Sequence, residues 1–346
     1  MPQLNHHLSP IVIITLLLLG APAHAGPEAQ LKKGEALVKA GDLKGAVKAY
    51  GLAVKAYPGD ARAYYQRGVC LRRLKEAGPA MVNFKAAIKL SPAMAEAHNN
   101  LGALLHEAGQ DDQALKHFDR AVKAKREYGE AWFNLGLLHY EKGRYDKAAE
   151  AYVMAGKLRP RDADVRLNLG GALLHLGQLP AAIKALEEAV GLAPSNPAIR
   201  FSLGSLFLKK GDLKSAEVQL TMAVKLKPEY LRAWYRLAKV QARRDRFEQS
   251  ITSLTRALSL AKGKDRAVLL GDVGKIQRKQ GKSKDALKSF AAALKADPDF
   301  YKAHLFTGLA HAEAKQCKEA KAAFKRFIKG AGAPPNTINE LMKKCK

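Results

Sequence analysis

Apolar residues recur along this chain three and four residues apart, the spacing of amphipathic helices, and the pattern itself repeats every 34 residues. Glycines stand at Gly34, Gly68, Gly102, Gly136, Gly170 and Gly204; Ala238 takes the next place, and after a two-residue insertion the phase resumes at Gly274 and Gly308. Twelve residues on comes a small side chain (Ala46, Ala80, Ala114, Ala148, Ala182, Ala216, Ser250, Ala286, Ala320), and four beyond it a large one (Tyr50, Phe84, Phe118, Tyr152, Leu186, Leu220, Leu254, Phe290, Phe324). Small residues at two fixed points let antiparallel helices approach closely, and the large residues fill the seam between them. The pattern predicts a helical hairpin in each period. Turns such as Gly41-Asp42, Gly143-Arg144 and Gly211-Asp212 end the first helix, Pro180 fits the first turn of a second helix, and Pro58, Pro92, Pro160, Pro194, Pro228 and Pro298 close periods.

This spacing resembles the tetratricopeptide repeat (TPR) family. The family's W-x2-L-G stands literally at Trp132-Phe133-Asn134-Leu135-Gly136 and in part at Trp234-Tyr235-Arg236-Leu237-Ala238. Nine repeats are expected at 27–60, 61–94, 95–128, 129–162, 163–196, 197–230, 231–264, 267–300 and 301–334. The expected fold is all-α: a right-handed TPR superhelix, or α-solenoid, closed by a capping helix within 335–346, where Asn336 or Thr337 precedes Ile338, Leu341 and Met342. The repeats leave no segment for a separate catalytic domain, and the resemblance implies binding through the concave face of the first helices.

In this family the second, fifth, sixth, ninth, twelfth and thirteenth repeat positions tend to face that groove. The sixth reads Gln66, Asn100, Asn134, Asn168 and Ser202, and its asparagines resemble the ladder with which TPR proteins hold an extended peptide backbone, since an amide both donates and accepts. The fifth adds Tyr65, Phe133, Phe201 and Tyr235 as stacking or pocketing side chains. The alternative is that Asn is simply common at this repeat position.

Residues 1–25 read as a secretory signal peptide. The apolar run Ile11–Leu19 is broken by Gly20 and Pro22, and Ala23-His24-Ala25 offers a small-x-small cleavage site, although the first ten residues hold no Lys or Arg. Nine residues, eight of them apolar and interrupted by Thr15, are too few to span a bilayer, so no transmembrane segment is expected after cleavage. The expected location is secreted, in the bacterial periplasm.

The net charge of +27 is uneven: residues 26–94 carry 13 basic and 5 acidic side chains, 95–230 carry 19 and 17, and 231–346 carry 27 and 10. A basic surface including Arg243, Arg244, Arg278, Lys279, Lys325 and Arg326 follows, suited to solubility or to an anionic envelope surface. The leader argues against nucleic acid, and no nucleic-acid module is present. No phosphate-loop, zinc-protease, nucleophile-elbow or C-x-x-C motif occurs, so no catalytic residue, metal or cofactor is expected. The histidines from His98 to His311 read as structural or solvated, Cys70 as a buried small residue, and Cys317 with Cys345 as a disulfide pinning the cap. The function expected is a non-catalytic scaffold or assembly factor of the cell envelope that binds a peptide segment of a protein partner. The alternative is a polyanion- or membrane-surface-binding protein acting through its basic last third.

Overall fold

The pairing of a small residue with a large one is the contact that builds each hairpin. A Cβ placed on Gly68, Gly102 or Gly308 would lie 2.7, 2.8 or 2.5 Å from a ring carbon of Phe84, Phe118 or Phe324, closer than carbon atoms pack. The absence of that atom is what admits the ring, and Tyr50, Phe84, Phe118, Tyr152, Phe290 and Phe324 are almost wholly buried.

The computed structural model describes residues 27–331 together with Ile338, Glu340 and Met342. Its eighteen helices, among the described residues, run in antiparallel pairs. They are α1 (Pro27–Lys39), α2 (Leu43–Ala56), α3 (Ala61–Arg73), α4 (Ala77–Leu90), α5 (Ala95–Glu107), α6 (Asp111–Ala124), α7 (Gly129–Glu141), α8 (Tyr145–Leu158) and α9 (Ala163–His175). The series continues with α10 (Leu179–Leu192), α11 (Pro197–Lys210), α12 (Leu213–Leu226), α13 (Leu231–Arg243), α14 (Phe247–Leu260), α15 (Gly263–Lys279), α16 (Ser283–Ala296), α17 (Lys302–Glu313) and α18 (Cys317–Ala331). The fold is an all-helical α-solenoid. Helix α15 begins four residues ahead of the repeat phase at 267 and takes the inserted residues into its first turns. The leader 1–25 lies outside the described residues, and no described helix is long and apolar enough to cross a membrane.

Two local devices recur. The fifteenth repeat position bends left-handed in every hairpin, with Gly at 41, 109, 143, 177, 211 and 281 but Lys75, Asp245 and Lys315 at φ 64°, 56° and 58° in the others. The fourth position donates back to a carbonyl six residues earlier, in the turn between repeats. His98 Nε2 reaches Pro92 O at 3.0 Å, Trp132 Nε1 reaches Arg126 O at 2.8 Å, Arg200 Nε reaches Pro194 O at 2.9 Å and Trp234 Nε1 reaches Pro228 O at 2.8 Å. A backbone acceptor freed where one repeat ends is thus satisfied by the next.

The packing divides the chain into a unit ending at Leu135 and another beginning at Gly136. In the first, Leu31, Tyr50, Ala53, Ala63 and Cys70 form one core cluster, so Cys70 is buried as expected, and burial pushes its thiol pKa up. In the second, the main cluster runs from Ala182 to Val240. Of the expected cap, Ile338 is buried against Phe324 and Phe327, with Met342 packed beside them. Cys317, at the start of α18, has no disulfide partner among the described residues, and the disulfide expected between it and Cys345 falls outside them.

Candidate functional site

In the first unit the first helices carry a polar network instead of open amides. Asn100 Nδ2 donates to Glu96 O of its own helix at 2.8 Å, and its Oδ1 accepts from Arg72 Nη1 at 2.6 Å. Asn134 Nδ2 donates to Oδ1 of the fully buried Asn99 at 2.9 Å, and Asn99 Nδ2 is shared between Tyr128 Oη and Glu130 Oε1, each at 3.2 Å. Lys125 bonds Glu96 at 2.8 Å, and this hydrogen bond holds the Glu96 carboxyl below the usual carboxylate range. Burial, then the Glu96 and Glu130 charges, push the Tyr65 hydroxyl upward, so it stays a neutral hydrogen-bonding group. Gln66 and Phe133 are half-buried.

The sixth-position donors in the second unit behave similarly. Asn168 Nδ2 bonds Asp164 O at 2.8 Å and Ser202 Oγ bonds Ala198 O at 2.9 Å, each four residues back on its own helix. An amide that gives one N–H to its own backbone keeps its second N–H and its carbonyl oxygen for outside partners. At Asn100 and Asn168 the two-way reading of peptide backbone expected from the ladder therefore keeps one N–H and the carbonyl oxygen, and at Asn100 Arg72 shares that oxygen.

Three of the expected groove residues do meet. Phe201, Ser202 and Tyr235 line one cavity of about 690 Å3 in the second unit, over Leu167, Leu174 and Leu206 and rimmed by Arg232, Arg236, Lys239 and Asp265. Ser205 Oγ also lines it, shielded from solvent and without a hydrogen-bond partner among the described residues. Beside it lies a cavity of about 310 Å3, floored by Ala238, Ala242, Leu254 and Ile276 and edged by Arg243, Lys275 and Lys279; Lys239 lines both. The smaller one opens in repeat seven, where Ala238 faces Leu254 in place of the Gly–aromatic pair. Between the cavities Tyr235 Oη donates to Asp272 Oδ2 at 2.8 Å, Lys275 Nζ bonds Asp272 Oδ1 at 2.7 Å, and Lys239 Nζ sits 4.4 Å from the Tyr235 ring centroid. Burial and the Asp272 charge push the Tyr235 hydroxyl upward.

The expected basic surface separates into parts. Arg243 and Lys279 edge the smaller cavity. Arg244 and Arg246 both bind Glu217, which is 8% exposed, and Arg278 bonds Glu313 at 2.5 Å. Lys325 and Arg326 are exposed on α18. Leu174, Ser205, Arg232, Arg236, Lys239 and Lys275 were not among the expected site residues, yet each but Leu174 and Arg232 stands at the sixth or ninth repeat position, and those two at the twelfth and second, so the register itself marks them.

The histidines hold one pair that spacing along a single helix does not reveal. His98 Nδ1 and His117 Nδ1 are 2.8 Å apart across the α5–α6 hairpin. Because Pro92 O can only accept, His98 carries its proton on Nε2, so His117 Nδ1–H donates to His98 Nδ1, and both rings are neutral. Burial holds both pKa values down, that of His117 to about 4.

Comparison with known proteins agrees with this architecture. Tetratricopeptide repeat models match residues 31–80, 83–127, 107–155 and 274–336, two further stretches at 139–203 and 173–225, and 231–264. No curated protein sequence matches the chain significantly. The C-terminal part of a TPR repeat-containing protein from Cytophaga hutchinsonii superposes with a TM-score of 0.55 at 17% identity, over 66% of this chain and 95% of that one. PilF of Pseudomonas aeruginosa gives 0.51 at 19% over 58% and 91%, and a tetratricopeptide repeat protein from Parabacteroides merdae gives 0.50 at 16% over 73% and 98%. At these identities the likeness is one of fold; with the repeat models matched along nearly the whole described length, this chain belongs to the tetratricopeptide repeat family.

Proposed function

We propose that the chain is a non-catalytic scaffold that binds an extended segment of a partner protein along its first-helix face and serves assembly in the cell envelope, which it reaches by export under the leader 1–25. Solenoids of this kind present continuous binding surfaces. The observation that carries the reading is the cavity where Phe201, Ser202 and Tyr235 converge over leucines, with the Ser205 hydroxyl awaiting a partner. An apolar recess with a few convergent polar groups suits an anchoring side chain and its backbone.

Site-specific photocrosslinking in cells tests it. With a benzophenone side chain at Phe201 or Tyr235 of the full chain, the reading expects adducts on a defined segment of one or a few envelope proteins. The same probe at Val218, exposed on α12, supplies the background. Equal adducts from the cavity and from Val218 would overturn the reading.

A second reading, binding of an anionic polymer or membrane surface, draws on the exposed Lys325 and Arg326 and the excess of 27 basic over 10 acidic residues in 231–346. It expects association that disappears at about 0.3 M salt, where exposed charges are largely screened, and that ignores substitution of Phe201.

A further inference from the structure

Resting on the peptide-binding reading, we propose that the two adjoining cavities of the second unit select an acidic extended segment, seating one apolar side chain in each cavity and its carboxylates against the basic residues around them.

The charge around these cavities is one-sided by register. Arg232 stands at the second position of repeat seven, Arg236 at the sixth, Lys239 at the ninth and Arg243 at the thirteenth; Lys275 and Lys279 take the ninth and thirteenth of repeat eight. Two carboxylates oppose these six cations. Both oxygens of Asp272 are engaged, by Tyr235 and Lys275, which leaves Asp265. Arg232, Arg236, Lys239, Arg243 and Lys279 form no ion pair among the described residues, whereas Arg244, Arg246 and Arg278 do. Like charges gathered at the edge of an apolar recess repel one another, and an incoming carboxylate relieves that repulsion while its own desolvation is offset by Arg forks that bind it bidentately. In the first unit the second position carries Glu96 and Glu130 in repeats three and four, so the basic edge belongs to particular repeats and is not a general feature of the first helices.

The floors decide which kind of anion fits. Leu167, Leu174 and Leu206 lie under the larger cavity, and Ala238, Ala242, Leu254 and Ile276 under the smaller, so each recess asks for an apolar group beside the charge. An extended acidic peptide supplies that alternation along its length. A nucleic-acid strand needs an open aromatic face for base stacking. Here Lys239 covers the Tyr235 ring at 4.4 Å, and the Tyr235 hydroxyl is tied to Asp272. A membrane surface is met by protruding cations, and these border recesses.

Fluorescence polarisation with a panel of labelled synthetic peptides tests the proposal on the full chain. Each peptide carries two leucines at a varied separation in a background of Glu, Gln or Lys. The expected result is that, at the best separation, the Glu peptide binds about tenfold or more tightly than its Gln counterpart and the Lys peptide does not bind. Replacing either leucine by Ser costs about tenfold. The doubly reversed Arg236→Glu/Lys239→Glu chain then prefers the Lys peptide, a gain that an unfolded variant could not show. Equal affinity for Glu and Gln peptides would overturn the acidic selection and leave the peptide scaffold standing. Binding to phosphatidylglycerol vesicles with no peptide of any separation bound would overturn both.

Discussion

The Gly–aromatic contact makes a quantitative demand at Gly102. In Gly102→Ala the new Cβ would sit 2.8 Å from Cε1 and 2.9 Å from Cδ1 of Phe118, where unstrained carbons stay about 3.5–4.0 Å apart. Phe118 is 1% exposed, so its ring has nowhere to withdraw without moving the α5–α6 hairpin. Overpacking of this kind costs about 1–3 kcal/mol, and the enclosed ring places the site in the upper half of that range. Alanine returns about 1 kcal/mol of helix propensity, so the net expected loss is about 1–2 kcal/mol. Repeat seven supplies the control, because Ala238 and Leu254 occupy the same two positions and are each 1% exposed. Phe118→Leu alone therefore destabilises by leaving a void, but the double variant recovers about 1–2 kcal/mol relative to the sum of the singles. Urea unfolding followed by helical circular dichroism gives the cycle, and hydrogen exchange over α5 and α6 localises it, since a repeat array can open locally. Strict additivity, or a Gly102→Ala chain stabilised by the full propensity gain, would refute the packing argument.

Two other predictions are read from stability. The His98–His117 pair is neutral in the fold, with Arg120 and Lys85 adding positive charge around it; both pKa values are depressed, so the unfolded chain binds more protons as acid is added, and stability present above about pH 6.5 is lost progressively towards pH 4. Because His117 is only half-buried the loss is discounted to about 1–2 kcal/mol, and His117→Asn should flatten the acid slope of α5–α6 exchange protection; an unchanged slope would dismiss the pair as its source. At the fifteenth position, Lys75→Gly and Lys315→Gly remove side chains from left-handed backbone at φ 64° and 58°, and each should raise stability by about 0.5–1 kcal/mol after the extra entropy of the unfolded glycine is counted. Gly109→Ala, at φ 72° with no atom within 4 Å of the added Cβ, should lower it by a similar amount, and melting temperatures moving the other way would show that the turn is not strained.

The hairpins were legible because their requirement is local and repeated. A helix can approach its neighbour only where the side chain is small, and that constraint writes itself into the chain every 34 residues. The polar network was less legible because it depends on which positions of successive repeats touch. Asn99 looks like one more helical residue, yet it is fully buried and joins Tyr128 at the end of its own repeat to Glu130 and Asn134 of the next. The basic dipeptides show the same difficulty most clearly. Arg243-Arg244 and Arg278-Lys279 read as units of charge along the sequence, but successive residues on a helix do not face the same way. The backbone therefore splits each dipeptide. Arg243 and Lys279 turn to the cavity edge, while Arg244 crosses to Glu217 and Arg278 to Glu313. Charge summed by sequence overstates what is free for a partner, and charge sorted by repeat position finds it, at the second, sixth, ninth and thirteenth places of repeat seven and the thirteenth of repeat eight. The asparagine series ends in the same way. The sixth position passes from Asn168 through Ser202 to Arg236 and then to Asp272. From Asn168 to Arg236 the amide gives way to a cation, and the face changes from one suited to peptide backbone to one suited to the carboxylates of side chains.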